Sequence, residues 1–381
     1  MDLCSRKTVV FLVLAFAFAS KGYAQDAAPL VPAIISFGDS SVDVGNNNHL
    51  LTYFKANYPP YGREFIDHQP TGRFSDGKLV TDFTADTLGF KTYAPAYLSP
   101  QATRKNLLIG ANFASAGSGY DGNTSIINHA ISLTHQLQYY REYQSKLAKL
   151  AGRKQSASII KDAIYIVGAG SGDFLQNYYA KPSLNKVYTP EQYSSMLVKS
   201  FSSNLPPSLS FLLFVYELKC NDFLEKVKVI MLPCYEEFVW IGSKEIWSHF
   251  IATAGLLSRS KNFIRGCVSR INIAAQQFNK KVNSSASNLQ KQLPGLKIVI
   301  FDIFKPLHEL VQSPSKFGFV EATRSCCGTG TTKRTVFLCN QKSARTCPNA
   351  SQYVFWDSVH PSQAANKVIA DEMIVQGFAL I

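Results

Sequence analysis

Ser40 stands near the end of the run Ile34-Ile35-Ser36-Phe37-Gly38-Asp39-Ser40-Ser41, and Asp357 and His360 stand three residues apart in Phe355-Trp356-Asp357-Ser358-Val359-His360-Pro361. Their chemistry fits one reaction type. A serine hydroxyl is a weak nucleophile until a base removes its proton. An imidazole does this near neutral pH, and a carboxylate on its second nitrogen fixes the tautomer that leaves the first free to accept. Within one turn, Asp357 and His360 lean the same way and supply the orienter and base of a nucleophilic triad. Each piece also has a plainer reading. Most Gly-Asp-Ser triplets are only turns, and an aspartate near Pro361 can cap the helix that follows.

Acyl transfer also needs donors aimed at the oxygen where charge develops. Two small-residue turns offer backbone N–H groups for this: Ala114-Ser115-Ala116-Gly117-Ser118-Gly119 and Gly168-Ala169-Gly170-Ser171-Gly172-Asp173-Phe174.

These turns must be held by regular elements. Ile34 to Phe37 is too short and too apolar before its breaker to be a helix, so it is predicted as a buried strand. Asn106 to Phe113 and Ala163 to Gly168 are predicted as a second and third strand, each ending in glycine, and Lys297 to Asp302 as another. Helical spacing covers Leu79 to Leu88, with Ser75 or Asp76 as cap and Gly89 as stop. Helices are likewise predicted for Leu133 to Leu150, Cys267 to Leu293, Ile303 to Gln312 and Ser362 to Gln376, with Glu142 and Lys146 as a supportive pair in the first of these. Strands that alternate with helices spell βαβ units and a parallel sheet, whose carboxyl ends are where ligands and chemistry gather. The loop Val42 to Asn48 is rich in side-chain amides, and Val227 to Leu232 could form a further strand in an otherwise irregular stretch.

The chain has 381 residues, 46% hydrophobic and 12% aromatic, enough for one large core, and no linker or low-complexity tract divides it. Residues 1 to 24 are predicted as a cleaved signal peptide, with Arg6 and Lys7 before the apolar run Val9 to Ala19 and a small-x-small site at Gly22-Tyr23-Ala24. Eleven apolar residues are too few to span a bilayer, which needs roughly twenty. The expected protein is therefore extracellular, with residues 25 to 381 as a single domain and no transmembrane segment. Secretion makes Cys326, Cys327, Cys339 and Cys347 disulfide partners rather than metal ligands, and with Cys220, Cys234 and Cys267 the mature count is odd. Sequons at Asn123, Asn283 and Asn349 agree with that route. Loss of the leader lowers the formal charge from +13 to +11. Such a charge can draw the protein weakly to acidic cell-wall polysaccharide, but no run of five basic residues occurs, and no nucleic-acid partner is expected.

Taken together, the blocks resemble the plant GDSL-type esterases and lipases of the SGNH hydrolase superfamily. Phe37-Gly38-Asp39-Ser40 with Asp43 to Asn48 is similar to the first block, Asn112 to Gly117 to the second, Gly170 to Asp173 to the third and Asp357 to Pro361 to the last. The resemblance covers about residues 31 to 200 and 266 to 376. It implies a flavodoxin-like three-layer α/β/α fold and hydrolysis of small-molecule, lipid or polysaccharide esters without cofactor or metal. It also implies Ser40 as nucleophile, His360 as base and then acid, Asp357 as its orienter, and the N–H groups of Ser40 and Gly117 as oxyanion donors. The chain departs from the pattern at three places. Ser41 stands where the family's name has leucine, Gly172 stands where an asparagine side chain normally gives a third oxyanion bond, and residues 201 to 264 diverge. If Val227 to Leu232 does not pair there, the sheet has an interior gap. The departures leave one alternative, a catalytically impaired or inactive extracellular binding protein on the same scaffold.

Overall fold

The structure is a computed structural model that describes residues 28–203, 228–232, 269–292, 297–301, 303–327, 338–339 and 346–377. The leader, most of the stretch from 201 to 264, and Cys220, Cys234 and Cys267 lie outside the described residues.

Five parallel strands form the central sheet in the order β2-β1-β3-β4-β5: β1 (Ile34–Gly38), β2 (Gly110–Asn112), β3 (Ile164–Gly168), β4 (Lys228–Leu232) and β5 (Lys297–Ile300). This is the flavodoxin-like order, and its reversal point lies at β1 and β3. β1 and β3 pair from Ile34 opposite Ile164 to Gly38 opposite Gly168, so their two glycine turns leave the sheet side by side.

The strand side chains alternate between two cores. Ile35, Phe37, Tyr165 and Val167 pack with α3 (Leu133–Ala151), α4 (Arg153–Asp162), α6 (Pro190–Ser203) and α7 (Ser269–Gln292). Ile34, Ile164 and Ile166 pack with α1 (Val80–Thr87), α8 (Phe304–Gln312) and α9 (Gln363–Gly377). The result is the expected three-layer α/β/α fold. Between these elements come α2 (Gly122–Asn128) and α5 (Pro182–Val187), and a two-stranded parallel sheet of β6 (Glu321–Ser325) and β7 (Tyr353–Phe355) leads to α9.

β4 answers the question raised by the divergent stretch. Lys228 to Leu232 pair with β3 on one side and with β5 on the other, so the backbone groups of both neighbours are taken up and the sheet has no gap there.

Two predicted elements differ in detail. Asn106–Ile109 is a 3₁₀ turn, and the second strand begins only at Gly110. Gly110 enters the sheet at φ 109° with Ile34 O only 1.9 Å from where a Cβ would stand, a passage open to glycine alone. Helix α1 is capped neither by Ser75 nor by Asp76. Asp82 reaches back to the Leu79 N–H at 2.8 Å, while Asp76 accepts the Gln363 N–H at 2.7 Å and so caps α9. That frees Asp357 from the capping role that its position before the helix suggested. Glu142 and Lys146 both turn to Tyr97, the carboxylate accepting its hydroxyl at 3.3 Å and the ammonium lying 4.4 Å from the ring centre.

Candidate active site

The serine turn is built by close approach of backbones. Gly38 ends β1 at φ 136°, and a Cβ on it would meet Gly168 O at 1.8 Å. Asp39 N–H then donates to Gly168 O at 2.8 Å, which ties the turn to the end of β3. Gln136 of α3, fully buried, fixes Gly38 from the other side: its Oε1 accepts the Gly38 N–H and its Nε2 donates to Gly38 O, both at 2.9 Å. Ser40 follows, half-buried at the carboxyl edge of the sheet. Beside it, burial pushes the Asp39 carboxyl up to about 6, against the opposing pull of the Ser41 N–H and hydroxyl at 3.0 and 2.8 Å. The hydroxyl bond from Ser41 to the Asp39 carboxylate is one that a leucine could not make.

The structure brings Ser40, His360 and Asp357 together. His360 Nε2 lies 2.9 Å from Ser40 Oγ, and His360 Nδ1 lies 2.9 Å from both carboxylate oxygens of Asp357. Asp357 is buried and well supplied with donors: the backbone N–H groups of Val359 at 2.9 Å and His360 at 2.7 Å, and the Tyr61 hydroxyl at 2.7 Å. Phe74 lies against the imidazole with ring centres 4.9 Å apart. The turn between the two residues is closed by Trp356 N–H donating to His360 O at 2.8 Å.

Gly117 and Gly172 line the same cleft as Ser40 and His360. Among the described residues, no acceptor takes the backbone N–H of Ser40 or of Gly117. Gly117 adopts φ 87°, and a Cβ there would stand 2.8 Å from Asn128 Cβ, so both its conformation and its surroundings require glycine. Gly172 has ordinary helical dihedrals, φ −60° and ψ −35°, and offers no side-chain donor.

The amide-rich loop after Ser40 holds the second turn in place. Asp43 accepts from Gly45 and Asn46 with one oxygen and from Ala116 with the other, at 2.8 to 2.9 Å. Asn46 donates to the carbonyls of Asn112 and Ala114, and Asn47 to those of Phe54 and Ala116. Asp173 anchors the far end of the turn by accepting from the N–H groups of Tyr120 and Asp121, at 2.7 and 3.0 Å, and from Thr124. Its burial pushes its carboxyl up to about 7.

Sequence reasoning missed Gln136, Tyr61 and Asn128, because each meets the site only through the fold. Gln136 carried a weak signal as a polar residue on the apolar face of α3. The disulfides are Cys326–Cys347 and Cys327–Cys339, and Cys339 N–H donates to the Tyr61 hydroxyl at 3.1 Å. Asn123, Asn283 and Asn349 are all exposed. Among the described residues, no cluster of three or more His, Cys, Asp or Glu is placed to hold a metal ion, and no helix is long and apolar enough to cross a membrane.

The family model for GDSL-like lipase/acylhydrolase matches residues 34–373. The Arabidopsis thaliana protein GDSL esterase/lipase APG is 52% identical over 385 aligned residues, covering the whole of both chains. Two further Arabidopsis thaliana GDSL esterases/lipases are 47% and 46% identical, over 98% and 92% of each chain respectively. Identity at this level from end to end, on a sheet of the expected order, makes the chain a member of the GDSL esterase/lipase family and a hydrolase of the esterase/lipase kind.

Proposed function

We propose that the protein is a secreted serine esterase that cleaves carboxylic esters through an acyl-enzyme. The observation that carries this reading is the unbroken chain of 2.9 Å contacts from Ser40 Oγ through His360 to Asp357. In the first step His360 Nε2 takes the Ser40 proton while Oγ bonds the acyl carbon, and the carbonyl electron pair moves onto its oxygen. The N–H groups of Ser40 and Gly117 bind that oxygen. His360 then protonates the departing alkoxide, and the same residues, with water as nucleophile, release the acid. Asp357 keeps Nδ1 protonated and faces the charge that develops on the ring.

Ser40→Ala is expected to abolish hydrolysis of a short-chain aryl ester, and labelling by a fluorophosphonate, without loss of secretion. Retained turnover in that variant rules out Ser40 as nucleophile.

A second reading, an inactive extracellular binding protein, is favoured by the missing side chain at Gly172. It predicts no fluorophosphonate labelling of the wild type. Residues 1 to 24 as leader, a single domain from 25 to 381, and glycans on Asn123, Asn283 and Asn349 complete the extracellular reading. Weak attraction to acidic cell-wall polysaccharide requires salt-sensitive retention on pectate.

A further inference from the structure

We propose that the side-chain amide of Gln176 gives the third oxyanion hydrogen bond in this protein, in place of the asparagine that the family pattern puts at position 172. The proposal rests on the serine-esterase reading above and adds a residue to it. Gln176 lies four residues after Gly172, in the π-helical turn Asp173–Tyr178, and lines the same cleft as Ser40, Gly117 and His360. Single π turns inside helices are frequent at functional sites. Its Oε1 stands 3.2 Å from the point a Cβ on Gly172 would occupy. The amide head of Gln176 therefore borders the space that a side chain at 172 would enter, together with Ser118 O at 3.0 Å and Thr124 Cγ2 at 3.4 Å.

Hydrogen-bond chemistry decides which end of that amide is engaged. Asn128 bonds the backbone carbonyl of Gly117 at 2.8 Å, and a carbonyl only accepts, so the Asn128 atom there is its Nδ2. The same Nδ2 lies 2.6 Å from Gln176, and two NH₂ groups cannot bond each other, so the Gln176 atom there is Oε1. The Nε2 of Gln176 is left with no acceptor among the described residues, in the wall of the cleft. Asn128 cannot itself be the donor, since both its N–H bonds are used. Asn128 instead ties Gln176 to Gly117, so that one residue sets the spacing of two donors.

As Ser40 Oγ bonds the acyl carbon and its proton passes to His360 Nε2, the electron pair of the C=O bond localises on oxygen. The N–H groups of Ser40, Gly117 and Gln176 Nε2 then converge on it. A donor that acts at this stage raises kcat more than it tightens substrate binding.

The test uses the full secreted chain and a short-chain aryl ester. Gln176→Ala is expected to lower kcat about 10²-fold, the loss typical of one oxyanion donor, with KM little changed and a modest fall in melting temperature as Asn128 Nδ2 loses its acceptor. Gln176→Glu, which keeps the size and removes the donor, is expected to lose at least as much. The rate of fluorophosphonate labelling should fall with kcat in both. Adding Gly172→Asn to Gln176→Ala places an amide in the vacated room, and recovery of kcat supports the proposal. Retained kcat in Gln176→Ala, or a loss that Gly172→Asn fails to reverse, overturns it while leaving the serine-esterase reading intact. A wild-type chain that neither turns over ester nor takes the fluorophosphonate overturns both.

Discussion

Tyr61 shows how much a single hydroxyl can be asked to do. Its oxygen donates to Asp357 and accepts from the Cys339 N–H, so it joins the Asp357 carboxylate to the disulfide-bonded loop. Burial, and the negative charge of Asp357 beside it, push its phenol well above its ordinary value, so it remains a donor throughout the working pH range. Tyr61→Phe removes one of the donors to a buried carboxylate and leaves an amide unpaired. A hydrogen bond to a charged group is worth roughly 1.5–3 kcal/mol, and that loss is expected in thermal or urea denaturation. The turnover number should fall by about tenfold as the imidazole loses part of its fixed orientation, a factor equal to about 1.4 kcal/mol. Unchanged kcat and stability in this variant would show that Val359 and His360 N–H groups suffice to hold Asp357.

At the scale of elements, α3 does more than cover the sheet. Ser132 caps it by accepting the His135 N–H, and one turn later Gln136 reaches across to the last residue of β1. Gln136→Leu keeps the size and the helix but removes the acceptor of the Gly38 N–H and one of the donors to the Gly38 carbonyl. The carbonyl keeps the Ser115 N–H at 2.9 Å and the Ser118 hydroxyl at 2.6 Å, so the Gly38 N–H is the group left unpaired, and a loss of roughly 1–3 kcal/mol is expected in urea denaturation. Because Gly38 precedes Ser40 by two residues, turnover should fall further than the unfolded fraction accounts for. A variant whose activity tracks its folded fraction would show that Gln136 only stabilises the fold. On the other face of the sheet, Arg73 forms a buried bidentate pair with Asp82 at 2.8 Å, so the residue that caps α1 also neutralises a buried cation. Neither link crosses a distance in sequence that local pattern can read.

For the whole molecule, the shared feature is a set of buried carboxyls around the strand ends. Burial raises Asp39, Asp43 and Asp76 from an ordinary 3.8 to about 6, and Asp173 to about 7. A carboxyl raised in the folded state holds its proton longer there than in the unfolded chain. Its contribution to stability is therefore complete below pH 3.8 and is lost as pH rises through 6 to 7. The melting temperature at fixed ionic strength is expected to fall between about pH 4 and pH 7. A rise over that interval would mean that these four groups are ionised in the fold, held so by the N–H donors that surround them.

Local chemistry in the sequence was enough to single out Ser40 and the Asp357/His360 pair, which the fold brings within hydrogen-bond distance, and to read the glycine turns and the alternation of strand and helix. A strand end, a breaker and a side chain's reactivity are properties of a few adjacent residues. The start of β2 at Gly110 was misplaced because Asn106 to Ile109 is as apolar as a strand, and only the approach of Ile34 shows where pairing can begin. The position of β4 in the sheet could not be read either, since a five-residue apolar run carries no information about its neighbours. Tertiary structure alone decided which carboxylate caps which helix, that Gln136 grips Gly38, that Tyr61 meets Asp357, and that Gln176 stands in the space beside Gly172. Those contacts join residues whose separation along the chain is bridged by the sheet order, and sequence pattern fixes reactivity and local form but not what is brought alongside.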